Sequence, residues 1–455
     1  MNHSRSTFSN KLGFVLAAAG SAVGLGNIWR FPYLAAKYGG GLFLLIYLLL
    51  VVSFGFTLMI TEVAIGRKTG LSPIGAFQKL NRKFAFIGVL GALVAFLILP
   101  YYSVIGGWVI KYLVTYLTGG HTAAAGDGFF EHFIGQPVEP VIWQVLFVLA
   151  TFIVVVRGVN KGVERVSRIL MPLLVILSVA IAVYSVTRPG ALEGVKYFFL
   201  PNFDGFTLEK LVMTLLGAMG QMFYSMSLAM GIMITYGSYL RKQDNLEKSV
   251  AQIEIFDTVI AVLAGLMVIP AVFAFSGGES AAVNAGPGLM FVTIPKVFEA
   301  MGLSTVIGAL FFVLVLFAAL TSAISLMEAV VSVICDQLHL SRTLSSILAA
   351  VCAVLLGLLS TFGYSIWSHV KLIGMQFLDF FDFITNSVLM PITALLTCIF
   401  VGYVIRTKTI ADEVRISSNF HREGLYNVMV KYIAPIFLIA ILVSSILNAF
   451  GTIKI

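Results

Sequence analysis

Residues 20–32 read GSAVGLGNIWRFP and set three glycines beside an amide and a guanidinium. Gly20, Gly24 and Gly26 each weaken a helix interior by about 0.5–1 kcal/mol relative to alanine. Asn27 adds a side-chain carbonyl and Arg30 a fixed positive charge. All lie within an apolar segment, residues 12–36, long enough to cross a bilayer. Lipid offers no hydrogen bonds, so a broken helix there must be satisfied by protein or face a water-filled site. An arginine at that depth is costly unless it meets a partner or water. These residues predict a broken helix whose freed backbone groups line a binding site. Small residues also permit tight helix packing, but packing gives no account of Asn27 and Arg30.

A second stretch, residues 217–231 (GAMGQMFYSMSLAMG), repeats the pattern, with Gln221, Ser225 and Ser227 among its glycines. Two further features carry chemistry. Asp257 sits in the apolar run EIFDTVIAVLAG, where an ionised carboxylate needs a cation; the alternative is a protonated structural acid. FAALTSAIS, residues 317–325, puts Thr321 and Ser322 one turn beyond Ala318 on the same helical face. Ordinary back-bonding of hydroxyls to their own helix gives the same pattern.

The elements that must position these groups are membrane helices. The chain of 455 residues is 59% hydrophobic and 11% charged, with a mean hydropathy of +0.99, which fits no soluble domain. Its net charge of +8 does not point to nucleic acid, because the basic residues lie between apolar runs and not on one face. Cys335, Cys352 and Cys398 form neither a disulfide framework nor a metal spacing. The first apolar segment is too long and too polar for a signal peptide.

Apolar periods predict eleven spans, near 12–36, 41–66, 86–118, 141–156, 166–187, 211–240, 250–275, 303–335, 344–362, 377–405 and 428–450. Residues 286–302, GPGLMFVTIPKVFEAMG, read as a short amphipathic lid. Lys and Arg crowd into the amino-terminal tail and every second loop, which predicts a cytoplasmic amino terminus. The whole of 1–455 is expected to form one transporter domain in the cell (inner) membrane. The breaks fall in spans one and six, which predicts two inverted five-helix repeats, 12–187 and 211–405, with an extra helix at 428–450.

The run GSAVGLGNIWRFPYLAAKYGGG closely resembles the first-helix signature of the neurotransmitter:sodium symporters, and the likeness extends from Arg5 to about Phe450. The chain is identified as a bacterial amino-acid member. The resemblance implies sodium-coupled uptake of a neutral, apolar or aromatic amino acid by alternating access, with two sodium ions and no chloride requirement. One sodium would use the Ala22 carbonyl, Asn27, Ser225, Asp257 and the substrate carboxylate. The other would use the carbonyls of Gly20, Val23 and Ala318 with the hydroxyls of Thr321 and Ser322. Chloride-dependent members usually have asparagine in place of Asp257, and Ala261 stands where others place chloride-linked or acidic groups.

For the substrate, the resemblance implies Ala22, Leu25, Gly26, Ile98, Tyr102, Tyr224, Ser225, Ser227, Met230, Ser322 and Leu326. Exposed amides near Leu25 and Gly26 suit a carboxylate at a half-helix start. The side chains carry no fixed charge, which favours a neutral substrate, although such an apolar stripe is also what a plain core looks like. Ala229 replaces a glycine found in a relative, and Met230 adapts readily to different shapes. Family pattern pairs Arg30 with Asp382 as an outer gate and Arg5 with Asp336 as an inner one, the latter backed by Phe8, Ser238 and Tyr239. The same charges would also serve as static structural pairs. Gly162 and Pro172 mark a helix start able to unwind, and Glu62 is expected to be protonated and hydrogen-bonded beneath the site. Partners are then the amino acid and the lipid bilayer, with no nucleic acid, and the protein is a monomer or homodimer. A non-transporting sensor is disfavoured by the gate and sodium residues. An enzyme is disfavoured by the lack of a nucleophile–base pair or phosphate loop.

Overall fold

The computed structural model describes residues 7–203, 207–276 and 288–449. The first apolar run forms α1 (Lys11–Ala22), capped by Asn10, whose side chain accepts from the Gly13 amide. It meets α2 (Gly26–Lys37) at a 54° bend. Next come α3 (Gly41–Thr69), α4 (Arg82–Leu117), α5 (Glu139–Val156) and α6 (Val159–Val186). A short helix, α7 (Ala191–Phe199), leads to α8 (Leu208–Ser225) and α9 (Ile232–Gly237). Then come α10 (Leu246–Ser276), α11 (Ile294–Met301), α12 (Ser304–Leu338), α13 (Arg342–Phe362), α14 (Phe377–Val404) and α15 (Glu423–Leu447), with further short helices at Pro73–Leu80, His121–Ala125, Phe129–Ile134 and Lys408–Arg415 in the connections. Apart from two isolated bridge pairs, Gly40 with Pro201 and Leu372 with Met375, the described residues form helices, turns and loops.

Among the described residues nine helices are long and apolar enough to cross a membrane, or ten with the bent α1–α2 pair. The sequence predicts eleven. The difference lies in residues 211–240, where non-helical backbone at 226–231 divides the run. Neither piece qualifies alone: α8 carries Glu209, Lys210 and Gln221, and α9 has only 6 residues. Of the expected lid, Gly286 and Pro287 lie outside the described residues. The rest is a wide turn, Leu289–Thr293, followed by α11, which buries Ile294, Val297 and Phe298 and is too short to span.

Burial sorts the helices. In α3 and α12, 67% of the apolar stretch is covered by protein, against 33% in α5, α6 and α13. The outward side chains of that second group include Ile142, Ile176, Val183 and Leu355. Apolar side chains facing out of long helices suit lipid. At the centre, α1 is enclosed by α6, α10 and α12, and every residue from Gly13 to Ala22 is buried. Both breaks therefore sit where water is scarce.

Candidate functional site between the two breaks

At the first break α1 stops at Ala22, and Val23 turns extended (φ −76°, ψ 98°). The next helical turn, Gly26–Arg30, is wider than an α-helix. Room is what the glycines supply. A Cβ at Gly26 would lie 2.4 Å from the Tyr224 ring, and one at Gly24 would lie 2.7 Å from Ser322 Oγ. At the second break Ser227 and Ala229 adopt left-handed φ of 53° and 61°, before Gly231 at 72°. Such conformations cost an L-residue about 1–2 kcal/mol each, so neighbours must hold them. The Ala229 amide donates to Glu62 Oε1 at 2.7 Å, and Ser227 Oγ donates to the Ser21 carbonyl at 2.9 Å.

Asn27 turns back from the first break to join the two. Its amide nitrogen donates to Ser225 Oγ (2.9 Å) and Asp257 Oδ1 (2.8 Å), and its oxygen accepts from the Gly24 amide (3.1 Å). Ser225 Oγ donates to Asp257 Oδ1 at 2.8 Å, and Tyr47 Oη to Oδ2 at 3.1 Å. Asp257 is wholly buried, and every hydrogen-bond donor it has among the described residues is neutral. A carboxylate and a hydroxyl meet in one buried cluster, with the Asn27 amide oxygen turned toward the Gly24 amide, and oxygen donors of these kinds are what a hard cation takes.

The second expected cation cluster divides. Ser322 Oγ reaches across to the carbonyls of Gly20 (3.4 Å), Ser21 (3.2 Å) and Val23 (3.3 Å). Thr321 instead donates back to Phe317 and Ala318 of its own helix, at 3.0 and 3.1 Å. Its side chain still abuts Gly20, 3.1 Å from where a Cβ would stand.

Between the breaks lies a cavity of about 30 Å³, room for one or two waters. Its wall brings together all eleven expected substrate residues: Ala22, Leu25, Gly26, Ile98, Tyr102, Tyr224, Ser225, Ser227, Met230, Ser322 and Leu326. Gly24, Asn27, Ser21 and Ile232 complete it. The Leu25 amide donates to Tyr102 Oη at 3.4 Å, and Gln221 Nε2 donates to the Gly26 carbonyl at 3.0 Å. No wall residue carries a fixed charge.

Tyr224 also lines a second, larger cavity of about 380 Å³ on the Arg30 side, so its ring is the partition between the two. The Arg30 guanidinium lies over that ring, 5.4 Å from its centre. Asp382 accepts from Tyr101 Oη at 3.3 Å and from Asn386 Nδ2 at 2.5 Å. Among the described residues no ion pair closer than 4.0 Å joins Asp382 to Arg30; the expected gate partners face the same region without direct contact.

At the other end Arg5 lies outside the described residues, while Asp336 accepts from the Ser72 amide at 2.8 Å. Phe8 packs edge-on against Phe14, Tyr236 and Tyr239, and its amide donates to the Tyr239 carbonyl. Ser238 Oγ donates to the Thr235 carbonyl at 2.5 Å. Tyr239 Oη donates to Glu328, which also holds Arg342. Gly162 lies in a wide turn, Val159–Glu164, and Pro172 is inside the helix that follows. Glu164 there ties Ser9 and Arg168 together, so the start of α1 is fastened to α6.

The sequence reading missed Ser21, Tyr47, Tyr101, Asn386, Glu328 and Glu164. Ser21 had one available signal, its position inside the first break. Tyr47 is an aromatic in an apolar run and reads as core.

The family model described as the sodium:neurotransmitter symporter family matches residues 5–124 and 133–453. The chain is 37% identical over 446 residues to the uncharacterized sodium-dependent transporter YhdH of Bacillus subtilis (strain 168), covering 96% of this chain and 97% of that protein. An uncharacterized sodium-dependent transporter of Haemophilus influenzae is 32% identical over 461 residues, covering 98% of this chain and 99% of that protein. In three dimensions the chain is similar to the crystal structure of MhsT in complex with L-phenylalanine. The TM-score is 0.87 at 38% identity, covering 97% of this chain and 100% of that one.

Proposed function

The chain belongs to the sodium:neurotransmitter symporter family, and from its pocket we propose that it takes up a neutral, apolar or aromatic amino acid with two sodium ions by alternating access. It is a multi-pass membrane protein and a sodium-dependent transporter, not an enzyme. The observation that carries the proposal is the uncharged wall between two helix breaks, with a buried carboxylate beside it.

Each group has a part in this reading. Amides near Leu25 and Gly26, with Tyr102 Oη, receive the substrate carboxylate, and carbonyls of the second break receive the ammonium. Ile98, Tyr224, Met230 and Leu326 surround the side chain. A cavity of about 30 Å³ admits an amino acid only as this wall withdraws, which suits the pliant Met230. MhsT holds L-phenylalanine in its crystal structure, so phenylalanine is the natural first probe.

One sodium sits with Ala22, Asn27, Ser225 and Asp257; the other with Gly20, Val23, Ala318, Thr321 and Ser322. Asp257 supplies the negative charge that chloride provides elsewhere, so uptake is chloride-independent. Two sodium ions crossing about 100 mV release about 4.6 kcal/mol, enough for roughly thousandfold accumulation. In this reading α8 and α9 form one broken span, giving eleven in two inverted repeats of five and an extra helix. The amino terminus is cytoplasmic. Arg30, Tyr224 and Asp382 close the outer path, and Arg5 and Asp336 the inner one.

The test is proteoliposomes under an imposed sodium gradient. Labelled phenylalanine should concentrate inside, equally well when gluconate replaces chloride. Failure to concentrate any of the twenty amino acids would overturn the transporter mechanism; dependence on chloride would overturn the role given to Asp257.

A further inference from the structure

Ser21 lines the cavity but belongs to neither expected ion cluster nor to the expected set of substrate residues. Its carbonyl has two lone pairs, and both have suitors from different helices. Ser227 Oγ, in the second break, donates to it at 2.9 Å, and Ser322 Oγ, on α12, lies at 3.2 Å. Its own hydroxyl donates back to Ser227 Oγ at 3.1 Å, so Ser21 and Ser227 hold each other by two hydrogen bonds. Ser227 is one of the two non-glycine residues held left-handed at that break, and all three serines line the cavity.

The single proton of Ser322 has three carbonyls in reach: Gly20, Ser21 and Val23. Gly20 and Val23 are the carbonyls that the proposed second sodium engages; Ser21 is not. A cation there turns the Gly20 and Val23 oxygens and the lone pairs of Ser322 Oγ toward itself. Of the three acceptors, only the Ser21 carbonyl is then left for the hydroxyl proton.

We propose that Ser21 is a positioning residue that couples the second sodium to the substrate pocket. The inference rests on the sodium-coupled reading above. Sodium directs the Ser322 proton to the Ser21 carbonyl, and hydrogen bonds in such a chain polarise one another. The Ser21–Ser227 pair then fixes Ser227 in its left-handed conformation, and with it the carbonyls that the second break turns toward the amino acid. Coupling of this kind is reciprocal: substrate tightens sodium by the same factor.

The test measures phenylalanine binding to the full purified chain across a sodium titration, in wild type, Ser21→Ala, Ser227→Ala and the double variant. In Ser21→Ala the sodium concentration for half-maximal phenylalanine binding should rise about five- to tenfold, within the usual span of coupling factors. Sodium binding without amino acid, read as the sodium-induced rise in melting temperature, should stay as in wild type. The double variant should be no worse than the weaker single variant, because both remove one clasp. Phenylalanine binding weakened by one factor at every sodium concentration would overturn the proposal and leave Ser21 a packing residue. Additive losses in the double variant would also overturn it. If Ser21→Ala fails to fold, Ser227→Ala carries the same sodium titration. Wild-type protein that binds no amino acid in saturating sodium would defeat the transporter mechanism instead, a result distinct from both.

Discussion

At the α1–α2 break the backbone stays in ordinary regions, and Gly24 and Gly26 serve by lacking a side chain against Ser322 and Tyr224. At the α8–α9 break two residues with side chains, Ser227 and Ala229, are held left-handed. The first break is made of room and the second of strain. Room is a local property, written at the position that needs it. Strain persists only when the surroundings over-determine it, and here they lie elsewhere in the chain, in Glu62 on α3 and Ser21 on α1. The left-handed turn of the second break therefore depends on contacts brought from α1 and α3.

The largest effect should come from an anchor that both breaks share. Asp257 Oδ1 accepts from Asn27 of the first break and from Ser225 at the end of α8. In Asp257→Asn the charge is lost and only one of the two side-chain oxygens remains to accept. A hydrogen bond to a charged group contributes about 1.5–3 kcal/mol, so half-maximal sodium for uptake should rise roughly ten- to a hundredfold. Unchanged sodium dependence would mean that the breaks are not joined through this carboxylate.

Gly26→Ala tests the claim of room. Its Cβ would fall 2.4 Å from Tyr224, a rigid ring that also divides the two cavities. Overpacking of this sort costs about 1–3 kcal/mol, and phenylalanine uptake should fall about tenfold or more. Tyr224→Leu, added to Gly26→Ala, should recover part of the loss. A Gly26→Ala protein with normal uptake would show that the first break, too, is set from outside.

Glu62 tests the claim of strain. In Glu62→Ala the Ala229 amide loses its acceptor in a buried place, at about 1–3 kcal/mol. Thermal denaturation should show that loss. Glu62→Gln keeps a carbonyl oxygen for the amide and should lie within about 0.5 kcal/mol of wild type. Equal damage in both variants would mean that the negative charge, and not the hydrogen bond, holds the second break.

This contrast also explains what could be read from the chain and what could not. Gly24, Gly26 and Asn27 announce the first break because glycine and a buried amide are conspicuous in an apolar run, and the whole expected wall of the cavity comes together in the fold. The left-handed Ser227 and Ala229 carry no such signal: only glycine advertises positive φ, and the contacts that hold them come from residues roughly 170 to 210 positions away. Tyr101 was hidden behind Tyr102. Neighbours on a helix point about 100° apart, so one reaches Leu25 while the other reaches Asp382. The span count turns on the same place: residues 226–231 leave the helix, as the glycines and polar side chains of 217–231 predict, and neither piece is long and apolar enough to cross alone.

The smallest effect is the most discriminating. Ala229→Gly removes the left-handed penalty of about 1–2 kcal/mol but adds unfolded-state freedom that opposes folding by about 0.5–1 kcal/mol. If Glu62 and Ser21 impose the conformation, the two changes largely offset each other, and the melting temperature should stay level or rise slightly. The pocket should keep its shape as well, so the ratio of phenylalanine to leucine affinity should move less than about threefold, under 1 kcal/mol. Affinity for both amino acids and its sodium dependence, measured together, check this. A tenfold shift in that ratio would mean that the residue at 229 sets the curvature of the second break itself, and the two breaks would then both be local.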